Sequence, residues 1–564
     1  MLLLNSFIHA QDLPHYMNEA EKKAMENYVP PVFLTDDTNP PPTPVRTMAE
    51  WEEVQGIIVA WTSYTTIIRQ IVDYAQDECL VFIVSTDSNS VKSFLTSGGV
   101  PLVNLKFVQA SFNSVWCRDY GPWAVYSGVA DSLKLVDWIY NRPRPLDDQV
   151  SVAFASYASL PIYQTTVAPN NLIATGGNFM VDGHGTGFSS RLIIDENPTQ
   201  NETQINNIMN MYMGISRYIK METLPYDQIH HIDMHMKLLD EETIMVGEYP
   251  AGVADGPQIE LNLQYVLSNF QTCFGRPYKV VRIPMPPSAS GQYPPNSSYY
   301  TYTNSVFINK TVIVPVYGLS QDSTALRIYR EALPGYRIVG INASGMISAL
   351  GAIHCITKEI GVFEPVFISH AKLLNTSSTA TPYQVRAYAK SRSGIAGASL
   401  YWRTDTTQAY SAVAMTLSQD TFRASIPAQP LGTKVYYYIS ATSNSGRTVT
   451  KPITAPQGFM KFSIDNQTGV TGAQSIPAEY SLSQNYPNPF NPQTVITFNL
   501  GAKGNVTLKV YDALGREVSS PVNEVKEPGV HNVRFDASRI SAGVYYYKLT
   551  AGEFTATKKM VVVK

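Results

Sequence analysis

Cysteine is scarce in this sequence, with only Cys79, Cys117, Cys273 and Cys355 in 564 residues. Four thiols allow at most two disulfides in three connectivities. A chain this long has no need of them for stability. An excess of charge is also missing: 42 basic against 45 acidic residues give a net charge of -3. Without a basic footprint, nucleic acid is excluded as a partner. No run of 18 or more apolar residues occurs, so no helical membrane span is expected. Charged residues make up only 15%, while hydrophobic residues reach 44% and tyrosine numbers 35. That mix belongs to a folded chain and is common among secreted proteins rich in β-structure. At roughly 150 residues per domain, the length implies three or four domains.

The organisation changes along the chain. MLLLNSFIHA, residues 1–10, reads as the end of a signal peptide, with a short apolar stretch and a small residue at Ala10. Residues 11–45 end in NPPPTP and read as an extended linker. From residue 46 to about 370, short apolar runs such as GIIVAW and LVFIVS alternate with helical patterns such as TTIIRQIVDYAQ and DSTALRIYREALPGY, which argues an α/β domain. Residues 371–465 carry alternating strands, YQVRAYAK to KVYYYISATSNSG, in the pattern of an immunoglobulin-like or fibronectin-like sandwich. Residues 466–476 read as a linker, and 477–564 as another small β unit. All four cysteines and every histidine but His531 lie within the first 370 residues, so the chemistry is placed there.

Four stretches of that region could carry chemistry. SVWCRDYGPW, residues 114–123, sets Asp119 among aromatic faces. A carboxylate and a flat ring suit a guanidinium or ammonium ligand. A structural Arg118–Asp119 pair in a tight turn is the plainer alternative. IHHIDMHMK, residues 229–237, puts His231, Asp233 and His235 on one face if it is a strand. H-x-D-x-H suits metal ligation; His231 as acid/base with Asp233 as anchor suits proton transfer; a packing role is the third option. IHCITKE holds Cys355, either a buried filler or a nucleophile. If the stretch is a strand, His354 points away from Cys355, and the partner of the thiol is a distant histidine such as His231. YNRPRPLDD places Arg142 and Arg144 on one side of a stiff segment, either a carboxylate grip or a solvated basic loop. Jointly these groups fit one reaction, hydrolysis of a guanidino group by a thiolate, with His231 moving protons and two aspartates holding the cation. That chemistry needs no metal and no cofactor.

The tail YSLSQNYPNPFNPQTVITF, KVYDALGREV and the terminal KKMVVVK resemble the type A C-terminal sorting domain of the type IX secretion system. The resemblance implies contact with the secretion machinery and a secreted or cell-surface location. AEWEEVQGIIVAW, WCRDYGPW, TGGNFMVDGHG, HHID and GAIHC resemble the family of bacterial agmatine deiminases and porphyromonad-type peptidylarginine deiminases. The fold this implies is an α/β five-bladed propeller, that of the guanidino-group-modifying enzymes, here followed by two small β-sandwich domains. It also implies that Cys355 is the nucleophile, His231 the acid/base, and Asp119 and Asp233 the guanidinium-binding carboxylates. Trp116 matches an aromatic wall and Asn304, in YTNS, a polar neighbour of the cysteine. Asn178 falls near the central funnel, and Gln228 and Ile229 near the substrate.

Within the family, NRPRP matches the segment whose two arginines bind the α-carboxylate of a C-terminal arginine. Agmatine has no carboxylate, so Arg142 and Arg144 favour peptide or protein substrates with arginine. An agmatine deiminase acting on a small guanidino compound is the alternative. A different class, an inactive surface-binding protein, would have Cys355 in a disulfide or far from Asp119, His231 and Asp233.

Overall fold

The computed structural model describes residues 13–31, 37–128, 131–465, 480–482, 485, 488–500, 504–526, 529–552 and 554–563. Residues 1–10 and 466–476, read as signal peptide and linker, lie outside them. The chain divides into two compact units, 1–467 and 468–564.

Up to residue 361 the first unit repeats one arrangement five times. Each repeat has an antiparallel strand pair, then a helix, then a strand parallel to the second of the pair. Thr186–Ser190 pairs antiparallel with Met180–Val181 and, across the helix Glu202–Met213, parallel with Arg217–Met221. Met236–Asp240, Thr243–Glu248 and Lys279–Pro284 repeat the pattern across Gly256–Asn269. Val306–Ile308, Thr311–Val316 and Arg337–Asn342 do so across Gln321–Ala332. The strands Trp123–Ser127, Ser132–Tyr140 and Ile162–Thr165 form another copy across Val150–Ala158, extended by Val45–Thr47. In the last copy the pair is made by the two ends of the region: Lys358–Gly361 lies antiparallel to Val54–Ala60, which runs parallel to Leu80–Ser85 and through it to Leu105–Gln109.

Local sequence explains the elements. Thr65–Ala75 buries Ile67, Ile68, Ile71, Val72 and Ala75, the helical spacing of one apolar face. Val54–Ala60 and Leu80–Ser85 are apolar on both faces, as parallel strands covered on both sides must be. The helix Gln321–Ala332 stops before the Pro334-Gly335 turn. The 11–45 stretch departs from an extended linker, because it holds a helix at Glu19–Met25, capped at both of its first free amides by Asn18 and Glu21.

Strands from Val366–Ser369 to Met460–Ser463 surround a separate apolar core. Lys434–Ser443 alternates buried and less buried positions along its whole length. This module is tied to the α/β part by Lys390–Asp131 at 2.6 Å, Lys451–Glu241 and Arg447–Glu53. The second unit stacks the Ser481–Leu482, Gln493–Leu500, Gly529–Asp536 sheet and a four-stranded sheet around a shared core that includes Phe498, Leu508 and Tyr547. In the four-stranded sheet, Glu517–Lys526 lies antiparallel to Gly504–Asp512.

Candidate functional site

The repeated architecture puts a short turn just ahead of the first strand of each pair, and the five turns carry the candidate residues. Cys117–Tyr120 presents Asp119 before Trp123–Ser127. Gly176–Asn178 precedes Met180–Val181, Ile232–Met234 precedes Met236–Asp240, and His354–Ile356 precedes Lys358–Gly361. Thr301–Ser305 leads into Val306–Ile308. The IHHIDMH and IHC stretches are thus 3-10 turns rather than strands, so alternation does not govern where their side chains point. Charged and polar groups are buried here because each turn closes on the others: Asp119, His231, Asp233, Asn304, His354 and Cys355 are all at most 2% exposed.

Cys355 is a free thiol, as are Cys79, Cys117 and Cys273. No disulfide forms, which removes that arm of the inactive-protein alternative. The Asn304 amide donates to Cys355 Sγ at 3.2 Å, and its carbonyl accepts from the His354 backbone amide at 3.0 Å. The thiol lies 3.8 Å from Asp233 Oδ2. Burial, then the Asp233 and Asp119 carboxylates, push the thiol well above its ordinary value, so the site holds it protonated.

Asp233 is also held by His354, the neighbour that alternation would have turned away. His354 Nδ1 lies 2.7 Å from Asp233 Oδ2 and Nε2 2.9 Å from Glu50 Oε1. Lys237 grips the other Glu50 oxygen at 2.6 Å. Burial raises the Glu50 carboxyl, but His354 and Lys237 outweigh it and hold it well below the usual range. Arg118 does not pair with Asp119 either. It forms a two-point bond to Glu359 at 2.8 and 2.6 Å, both side chains buried.

Asp119 Oδ1 accepts from the Gly177 amide at 3.1 Å. His231 Nε2 meets Thr175 Oγ1 at 2.9 Å, leaving Nδ1 3.7 Å from Asp119 and without a hydrogen bond. Burial is the largest influence on His231 and lowers it to about 4, so the imidazole is neutral near pH 7 and the Asp119 approach is not an ion pair. Gly177 is the meeting point of these groups: a Cβ there would lie 2.5 Å from His231 Nδ1, 3.1 Å from Asp119 Oδ1 and 3.2 Å from Asp233 Oδ2. Gly351 likewise lets the backbone lie against Trp116, whose ring a Cβ would meet at 2.3 Å.

The other residues singled out from sequence fall into two groups. Trp116, Arg142 and Arg144 are buried, all at most 4% exposed, and donate to neighbouring carbonyls of residues 13–15. Asn178 instead ties its turn to the end of Thr186–Ser190 by accepting from the Ser190 amide at 2.9 Å. Ile229 belongs to the apolar core and Gln228 faces outward. Of the H-x-D-x-H residues only His231 belongs to a group whose ligand atoms come together among the described residues. That group is His15, Asp119 and His231, in which His15 Nε2 bonds Asp119 directly. Thr175, Gly177, Glu50 and His15 escaped the sequence reading, which turned His354 away from the site. Thr175 and Gly177 stand in the quoted TGGN motif and Glu50 in AEWEE, so those motifs were the available signal.

Comparisons with known proteins bear on this arrangement. Residues 46–360 match the model of the Porphyromonas-type peptidyl-arginine deiminase family, and residues 484–563 that of the secretion system C-terminal sorting domain. A Yersinia pseudotuberculosis protein provisionally named an agmatine deiminase is 27% identical over 299 residues, 46% of this chain and 77% of the relative. A Legionella pneumophila protein of the same provisional name is 26% identical over 336 residues, 55% of this chain and 88% of its own. A solved Porphyromonas gingivalis structure, provisionally described as an arginine deiminase, shares the fold with a TM-score of 0.50 at 20% identity, covering 56% of this chain and 98% of that one. A solved structure provisionally described as an agmatine deiminase gives 0.51 at 19% identity, covering 57% and 96%.

Proposed function

Because the chain belongs to the Porphyromonas-type peptidyl-arginine deiminase family, we propose that its substrate is arginine in peptides, most favourably at a peptide C-terminus, converted to citrulline. Hydrolysis of a guanidino C–N bond is the activity of that family. The sorting domain directs the chain through the type IX secretion route to the cell surface or the medium.

In this reading the guanidinium lies between Asp119 and Asp233, which bind its N–H groups and fix its plane. The same carboxylates that keep Cys355 protonated are then neutralised by the bound cation, so substrate itself favours the thiolate. The thiol proton passes to His231. Sulfur attacks the guanidinium carbon, the C–N bond breaks, and His231 returns its proton to the leaving ammonia. An S-alkylthiouronium cation remains. His231 takes a proton from water, the hydroxide attacks, the C–S bond breaks, and the hydroxyl proton goes to the departing sulfur. His231 then gives up the proton taken from water, which ends on the released ammonia, so the products are a ureido group and ammonium, with one water consumed. No step calls for a metal.

The observation that carries the choice of substrate is that Arg144 already grips a carboxylate. Its Nε and Nη2 donate to the two oxygens of Glu21 at 2.7 and 3.2 Å, beside Arg142. A two-point grip is what the carboxylate of a C-terminal arginine needs. Agmatine would leave it empty. A second reading, agmatine to N-carbamoylputrescine, is favoured by the provisional names of the curated relatives. The five repeats, closed by Lys358–Gly361 on Val54–Ala60, support a five-bladed propeller with the turns around its axis. We read 371–465 as an immunoglobulin-like accessory and 477–564 as the sorting module. Ureido-product assays on a peptide ending in arginine, a peptide with internal arginine, free arginine and agmatine test the choice. Highest kcat/KM on the first supports it; highest on agmatine overturns it.

A further inference from the structure

A piece of the chain itself fills the site. His15 is fully buried, and its ring lies flat on Trp116, 4.4 Å between centroids and 12° between planes. Its edge meets His231 at 4.9 Å. Its two ring nitrogens face two acceptors: Nδ1 lies 2.8 Å from the Leu350 carbonyl and Nε2 touches Asp119 Oδ2. A carbonyl can only accept. Asp119, raised by burial but lowered more by His15 and His231, is held well below the usual carboxylate range, so it too accepts. Both ring nitrogens therefore face acceptors, and the group on Asp119 is a planar, hydrogen-bonding ring. It stacks on an aromatic face and bonds to a carboxylate as a guanidinium would.

The backbone on either side is gripped as well. The His15 amide donates to Ala349 at 2.9 Å, and the Trp116 indole donates to the Leu13 carbonyl at 2.9 Å. Arg142 Nε donates to the His15 carbonyl at 3.2 Å. Arg144 donates to the Pro14 carbonyl at 2.7 Å and holds Glu21, which the capped helix Glu19–Met25 presents. Glu21 faces the arginine that the proposed function gives to a substrate carboxylate.

We propose that residues 13–25 are a peptide ligand built into the chain, a pseudosubstrate that keeps the deiminase latent until it is displaced or cut away. The proposal rests on the deiminase reading for its activity assay but not for its test of access. A pocket that holds a histidine with chain running on both sides is also a pocket for peptides, not only for small guanidino compounds.

The full-length chain is compared with its His15→Ala and Glu21→Gln variants. Two rates are read: ureido product from arginine peptides, and alkylation of Cys355 by iodoacetamide, located by peptide mapping. With latency, both rates rise at least about tenfold in His15→Ala, the factor by which closed molecules outnumber open ones. Glu21→Gln gives a smaller rise. A synthetic peptide of residues 13–25 then inhibits the His15→Ala chain competitively with substrate, and the same peptide with alanine for histidine does not. Unchanged alkylation and turnover in both variants overturn the proposal. Faster alkylation with no product from any guanidino compound upholds latency and overturns the deiminase reading instead. Should His15→Ala fail to fold, Glu21→Gln and added peptide decide alone: no gain in alkylation and no competition overturn the proposal.

Discussion

His354 Nδ1 and Asp233 Oδ2 meet at 2.7 Å, so the residue next to the cysteine orients the carboxylate that faces the cysteine. Glu50 closes the line from behind at 2.9 Å. His354 is therefore a positioning residue, and its removal should appear in kcat more than in KM. For His354→Ala we expect kcat to fall by about a hundredfold, the usual cost of a misplaced reacting group. His354→Asn keeps a donor near the Nδ1 position and should recover part of it. Steady-state kinetics beside a melting curve decide: equal kcat loss in the alanine and asparagine variants, tracking loss of folded protein, would make the role merely structural.

Much of this site was legible because family motifs sit in the turns before the strands, where side-chain identity is fixed by chemistry. Cys355, His231, Asp119 and Asp233 each stayed ambiguous by residue type and pointed to one reaction only when the stretches were taken together, while their separate roles came from the family resemblance. His354 was misjudged because its stretch was read as a strand, and a 3-10 turn does not alternate. Arg118 could not be paired from sequence, since Glu359 lies 241 residues away. His15 was out of reach for the same reason: QDLPHY carries no periodic pattern, and its partners Asp119, Leu350 and Arg142 come together only through the fold. Asn178 and Ile229 stand in or beside motifs and yet serve the scaffold, because a motif also encodes the turn that carries it.

Asp233 has two opposed effects on Cys355. It would bind the substrate cation, yet without one its charge, 3.8 Å from sulfur, disfavours the thiolate. Asp233→Asn should abolish turnover and speed iodoacetamide alkylation of Cys355 at pH 7.5, measured in the His15→Ala background so that access is equal. The thiol of the unsubstituted site should titrate above the ordinary value of about 8.5. A slower alkylation in the asparagine variant would show that Asp233 does not govern the thiol.

Arg144 should discriminate substrates by their carboxylate. In the same His15→Ala background, Arg144→Ala should raise KM for a peptide ending in arginine by roughly ten- to a hundredfold, the worth of a charge-assisted bond of about 1.5–3 kcal/mol. Agmatine kinetics should be unchanged. Equal losses on both substrates would remove Arg144 from carboxylate recognition.

Gly177 is confined by the groups on three sides of it. A methyl at 2.5 Å from His231 Nδ1 must displace the imidazole, because Asp119 and Asp233 stand at 3.1 and 3.2 Å. Gly177→Ala should therefore cost most of kcat, at least about a hundredfold, while the rest of the fold is left intact. Circular dichroism and the melting temperature test the second half. A variant with near-native kcat would mean that His231 can move aside without consequence.

The Arg118–Glu359 pair links acid stability to the site, since Arg118 also reaches the His354 carbonyl at 3.3 Å. Burial raises the Glu359 carboxyl, but Arg118 and Lys358 outweigh it and bring it down to about 2. A carboxylate with a folded-state value below its unfolded value stabilises fully above the unfolded value of about 4.5. That contribution is lost as the pH falls from there towards about 2. Glu359→Gln should lower stability by about 3–5 kcal/mol at pH 7, because the buried guanidinium loses its counter-charge. At pH 3 the gap between variant and parent should have narrowed. Denaturant unfolding of both chains across that range checks it, and a gap that stays constant with pH would assign the loss to packing rather than to charge.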